Sequence, residues 1–116
     1  MTLNMAGLQT FRAGLADAID AGCEETADQV LAIRDPLTPV LSGELLDTGT
    51  VVQIASGHWQ VREGDGLPDA RASYTEYGTS KAPAQPHMTP AAEQGRELLP
   101  VNIAARLAAL AEQSSV

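Results

Sequence analysis

The chain has 116 residues and a formal net charge of −8, from fifteen acids against seven lysines and arginines, with no basic stripe along it. That balance argues against ordinary nucleic-acid binding, which rests on neutralising phosphates with cations. The length suits one domain, residues 1–116, and the four aromatics (Phe11, Trp59, Tyr74, Tyr77) among abundant alanine predict a thin core that burial in an assembly would complete.

From about Leu8 to Arg34, the residues Leu8, Phe11, Leu15, Ile19, Cys23, Val30 and Ile33 recur mostly at spacings of three and four, the stripe of an amphipathic helix. Asp35-Pro36 is expected to end it, because a residue before proline is pushed out of the α region. Gly7, Gly14 and Gly22 each weaken an isolated helix by about 1 kcal/mol relative to alanine, which leaves its start open. Cys23 reads as a small buried hydrophobe, and a lone cysteine suits a reducing compartment. The N-terminus lacks a signal-peptide pattern and no apolar run nears the ~20 residues that span a bilayer, so the chain is expected to be cytoplasmic at synthesis, without a membrane partner.

Pro39 to Gly43 reads as a turn and Glu44 to Leu46 as a short helical step. Thr50–Ala55 and His58–Arg62 alternate around Ser56-Gly57, which predicts a tight hairpin with Val52 and Ile54 on one face. The acidic, glycine-rich segment Glu63 to Ala72 reads as an exposed loop, followed by a third strand from Ser73 to Tyr77. Thr79 to Pro90 then reads as a fixed arm. Pro83, Pro86 and Pro90 hold φ near about −65° and remove three amide donors. Thr89 is placed as an N-cap for a last helix, Pro90 to about Glu112, whose packing stripe is Leu99, Ile103, Leu107 and Leu110 and which is expected to kink near Pro100. The fold class is α+β: a long N-terminal helix, an antiparallel sheet of three to four strands, a Pro-rich arm and a C-terminal helix.

No enzyme constellation stands out in this sequence. His58 and His87 have no second ligand at metal spacing, Ser42-Gly43 lacks a full nucleophile elbow, and neither a P-loop nor a dinucleotide glycine motif is present. No catalytic, metal or cofactor residue is assigned. Residues 1–50 carry eight acids against two arginines. Asp17, Asp20, Glu24, Glu25 and Asp28 read either as a solvated helix face or as an acidic wall past which DNA slides without sticking.

Two blocks carry a resemblance. Pro39, Val40, Ser42, Gly43 and Leu45, followed by Glu76, Tyr77, Gly78, Thr79, Ala84, Gln85, Pro86, Pro90 and Ala91, follow in order and spacing the pattern of the neck or tail-completion proteins of tailed bacteriophages. The similarity covers roughly Ala27 to Glu112. Departures are Ser42 for a threonine, Glu44 where a basic residue is common, Arg71 about where a tyrosine often stands, His87 for an aromatic and Thr89 for a frequent arginine; they remove positive charge and aromatic area. The resemblance implies a non-enzymatic virion protein of the head-tail junction, made in the host cytoplasm. It implies a sixfold-related homo-oligomeric ring that meets head-completion (stopper), portal-side and tail terminator or tail-tube proteins and lets DNA pass. Its implied interface residues are Tyr77, Gly78, Thr79, Lys81, Pro83, Gln85, Pro86, His87 and Pro90. A tail terminator, a small phage-encoded binding module or inhibitor, and an acidic enzyme are the alternatives.

Overall fold

The computed structural model describes residues 4–39, 43–65, 67, 71–80 and 83–114. Helix α1 spans Met5–Leu37, α2 Glu44–Asp47, strand β1 Thr50–Ala55, β2 His58–Arg62, α3 Arg71–Tyr77 and α4 Met88–Ser114. The class is α+β, with a two-stranded antiparallel sheet among the described residues.

Helix α1 begins where the Asn4 side chain accepts a hydrogen bond from the Gly7 amide at 3.1 Å, an N-cap that satisfies one of the first-turn donors. It runs through Asp35-Pro36 rather than stopping there. Thr38 closes the last turn: its amide donates to Asp35 O at 3.2 Å and its hydroxyl to Arg34 O at 2.9 Å. Proline in this terminal turn is tolerated because the chain leaves the helix within two residues.

The predicted hairpin is present. Thr50 pairs with Arg62, Val51 with Val61, Val52 with Gln60 and Gln53 with Trp59, before the register shifts between Gln53 and Ala55. Ile54 is the extra residue of this bulge, which breaks the alternation expected to align it with Val52; its side chain is exposed. The hairpin tip is pinned to α1 by Asp20, whose carboxylate accepts from the Gly57 amide at 2.6 Å and the Trp59 indole at 2.9 Å. Those bonds, chiefly that from Gly57, draw the Asp20 pKa below its ordinary value.

The expected third strand is instead helix α3. Aromatic and β-branched residues at 74, 75 and 77 favour a strand only when they have a sheet surface to pack on. Here the helical form carries Glu76 to the start of α4. The N-terminus of α4 also differs from expectation, lying at Met88 with Pro90 inside its first turn, where a missing N–H does no harm. The helix continues through Pro100 without interruption.

Helices α1 and α4 pack antiparallel, as the pairings of Gly14 with Leu110, Gly22 with Ile103 and Val30 with Gly95 show. The seam joins small residues to members of the predicted stripes, Val30 from α1 and Ile103 and Leu110 from α4 packing against glycines of the facing helix. Gly7, Gly22, Thr26, Ala27 and Val30 are buried on α1, and Ala91, Gly95 and Asn102 on α4. A Cβ on Gly22 would lie 2.9 Å from Ile103 Cγ1 and 3.0 Å from its Cα, so glycine is what lets the backbones approach. At mid-seam Asn102 Nδ2 donates to Thr26 Oγ1 at 2.9 Å and Gln29 Oε1 at 2.7 Å, a buried polar pairing that fixes the register of one helix on the other. Leu8, Ile19 and Leu99 from the predicted stripes stay more than a third exposed.

Candidate functional site

Below the sheet, at the end of α1, four ionisable side chains meet. Arg34 is fully buried, an unusual place for arginine unless every donor is used. Its Nε and Nη2 both donate to Glu63 Oε2, at 2.9 and 2.8 Å; Nη2 also donates to Leu45 O at 2.7 Å, and Nη1 to Leu46 O at 3.0 Å and Asp35 Oδ1 at 3.0 Å. The guanidinium thus adds donors to the Leu45 and Leu46 carbonyls at the end of α2, which also accept from Thr48 and from the Gly49 amide. Gly49 makes room for it, since a Cβ there would collide with Nη1. Thr48 braces the same corner, donating to Leu45 O at 2.7 Å and accepting from the Gly64 amide at 2.7 Å.

Glu63 links this corner to the arm. Its carboxylate, with only 8% of the side chain exposed, also lies 2.7 Å from His87 Nε2. The segment predicted as an exposed loop from Glu63 therefore starts with a residue whose side chain is buried, and its residues 66 and 68–70 lie outside the described ones. Opposite, Glu76 accepts from the amides of His87, Met88 and Thr89 at 2.9, 3.1 and 2.7 Å. This carboxylate, brought in from α3, does the work expected of Thr89 as N-cap and places a negative charge at the positive end of α4. Burial acts to raise the Glu76 pKa, but hydrogen bonds from the Thr89 side chain and the three amides outweigh it and bring it from 4.5 to about 2.

The sign of the resulting pH dependence follows. A carboxylate whose pKa is depressed by folding contributes stability that is complete above about 4.5 and lost as pH falls through about 2. After allowance for solvent screening, the loss is on the order of 2 kcal/mol. Urea unfolding of the wild type should show this fall between pH 5 and 2, and Glu76→Gln should remove most of it while lowering stability at pH 7; equal pH slopes in the two proteins would contradict the assignment.

The arm is held at its root and open along its outer side. Gln85 N donates to Thr75 O at 2.7 Å, tying the arm's end back to α3. Gly78 has φ +79°, in the left-handed region, where the chain turns away from α3. Of the expected interface residues, Tyr77 is 78% exposed. Thr79, Pro83, Gln85 and Pro86 are also exposed, and Pro90 is half-buried. His87 is fully buried within its own chain, and Lys81 lies outside the described residues.

The five early acids divide. Glu24, Glu25 and Asp28, with Ala21, Gln29, Ala32 and Arg106, line a shallow groove of about 500 Å³ between α1 and α4. Asp17 lines a neighbouring one of about 290 Å³ beside Gly14 and Leu110. Glu25 is 3.4 Å from Arg106, an exposed pair of little energetic weight. Asp20 faces the hairpin instead. Among the described residues no group of three His, Cys, Asp or Glu side chains is arranged to hold a metal ion, and no helix is long and apolar enough to cross a membrane.

Sequence reasoning missed the cluster of Arg34, Glu63, Glu76 and His87 as a unit, although Glu76 and His87 stand in the arm motif that drew notice. No family model, curated protein or solved structure matches the chain.

Proposed function

We propose that the chain is a structural, non-enzymatic subunit of a ring at the head-tail junction of a tailed phage, completing the tail and leaving a passage for DNA. The order and spacing of the two sequence blocks suggest the family, and one structural observation supports the assembly: the subunit is too extended and too exposed to be complete alone. It measures 68 × 23 × 18 Å with a radius of gyration of 18.9 Å, where a compact chain of this length has about 13 Å. Its accessible surface is 7477 Å², against about 6,000 Å² for a compact monomer of the same mass. The excess, roughly 1,500 Å², is more than the ~800 Å² per partner that a standard interface buries.

Apolar groups are among what is left uncovered. Ile54, Tyr77, Leu99 and Val101 are exposed, while among the described residues the buried apolar side chains are few and small, Leu45 and Val30 being the largest. A rigid arm suits a repeated head-to-tail contact, since the same angle recurs at each step and a ring closes only when that angle divides a full turn. Prolines and a pinned root also reduce the entropy lost on docking. The mass of the purified chain in solution tests this reading: a closed oligomer is expected, and a monomer at every concentration would count against it.

A further inference from the structure

We propose that an apolar groove over the second half of α1 receives the Tyr77 side chain of a second copy of the chain, so that subunits join arm to groove, head to tail. The groove, of about 450 Å³, is lined by Ala27 and Val30 of α1, Trp59 and Val61 of β2, and Met88 and Leu99 of α4. That volume lies in the range that takes a drug-sized molecule, and so a single aromatic side chain. Trp59 and Leu99 keep part of their surface in water, which leaves the groove an uncovered apolar site. Tyr77 is the most exposed of the large apolar side chains among the described residues, and it does not line the groove of its own chain. Gly78 turns the arm away from α3 directly after it, and the bond from the Gln85 amide to Thr75 O ties the far end of the arm back. The ring is thus presented outward on a held segment, as the aromatic anchor of an interface is.

Charge and area select a second copy as the occupant. The described lining of this groove holds no acid, although the chain has fifteen, and it includes Arg96; the two grooves described above hold Asp17, or Glu24, Glu25 and Asp28. Residues 77–86 carry no acid either, and one base, Lys81. Two copies of a chain of net charge −8 therefore meet here without setting carboxylates against carboxylates, a juxtaposition that costs affinity elsewhere on the surface. Arg96 also offers a guanidinium to the face of an incoming tyrosine ring. In a head-to-tail ring each subunit uses two different patches, one for each neighbour, and buries ~800 Å² at each, about 1,600 Å² in all. The accessible surface of 7477 Å² exceeds that of a compact monomer by roughly 1,500 Å², close to this requirement. A twofold dimer, using one patch, would cover about half of it.

This contact rests on the assembly reading proposed above and names the surfaces that carry it. Trp59 is the only tryptophan and lines the groove, so its emission reports on filling. Emission and light scattering are measured together as concentration rises. The unaltered chain should associate, and its emission should move to shorter wavelength over the same concentrations as the indole loses water. Tyr77→Ala removes the anchor and Leu99→Glu puts a charge in the groove, both at exposed positions. Each should keep its far-ultraviolet signal and raise the concentration needed for association by at least about tenfold. Mixed, the two variants should regain one contact, the groove of Tyr77→Ala taking the arm of Leu99→Glu, and association should stop at a one-to-one pair. Unimpaired association of either variant, a mixture that stays monomeric, or a Trp59 emission that does not follow association would overturn the arm-to-groove contact while leaving the ring standing. An unaltered chain that stays monomeric would overturn both. Should Leu99→Glu fail to fold, Tyr77→Ala and the emission of the unaltered chain decide.

Discussion

Arg34→Met is expected to unfold or nearly unfold the chain at 25 °C. The methionine keeps much of the apolar stem but removes every donor, leaving Glu63 without its guanidinium and taking one donor from each of the Leu45 and Leu46 carbonyls. Breaking a buried pair by deleting one member costs about 3–5 kcal/mol, because the survivor stays buried and uncompensated. Set against the roughly 5–15 kcal/mol by which domains are stable, and a core as thin as this one, that is most of the margin. Urea denaturation followed by circular dichroism gives the value directly. Adding Glu63→Gln to Arg34→Met should recover part of the loss by removing the stranded charge, though less than all of it since Glu63 also serves His87. Strict additivity of the two changes would mean that the pair is not coupled.

Gly78→Val is expected to leave the subunit folded and abolish its assembly. With φ at +79°, a β-branched side chain is strained at this position whatever space surrounds it. The chain can relieve the strain only by redirecting residues 79 onward, and the exposed face of Thr79, Pro83, Gln85 and Pro86 moves with them. The helices α1 and α4 hold each other independently of that turn, so the far-ultraviolet signal should stay near normal. On the head-tail reading proposed above, particles carrying the variant should accumulate as separate heads and tails. Normal joining by Gly78→Val would show that the direction of the arm is immaterial.

The sequence made the helices and hairpin legible because their signals are local. Apolar spacing marked α1 and α4, Ser56-Gly57 between β-branched runs marked the turn, and both survive in the structure with shifts of a few residues at the ends. Local signals misled where packing decided. Tyr74, Thr75 and Tyr77 are residue types common in strands, yet residues 71–77 are helical and deliver Glu76 to the open end of α4. The apolar stripes supply Val30, Ile103 and Leu110 to the seam, but the residues facing them, Gly14, Gly22 and Gly95, lack bulk and carry no periodic hydrophobic signal. The cluster around His87 was out of reach for a related reason. Its members stand 29, 24 and 11 residues apart, at no motif spacing, and only the fold brings them within hydrogen-bonding distance. A buried arginine one residue past Ile33, at the end of an apolar stripe, was the faintest hint.

Assembly is the claim on which the functional account stands, and light scattering on the purified chain across a range of concentrations tests it most directly. The subunit mass is 12.1 kDa. The account predicts a single closed multiple of that mass, reached and then held as concentration rises, because a ring has no free end to extend. A mass that stays at one subunit throughout, or one that climbs without limit, would contradict it.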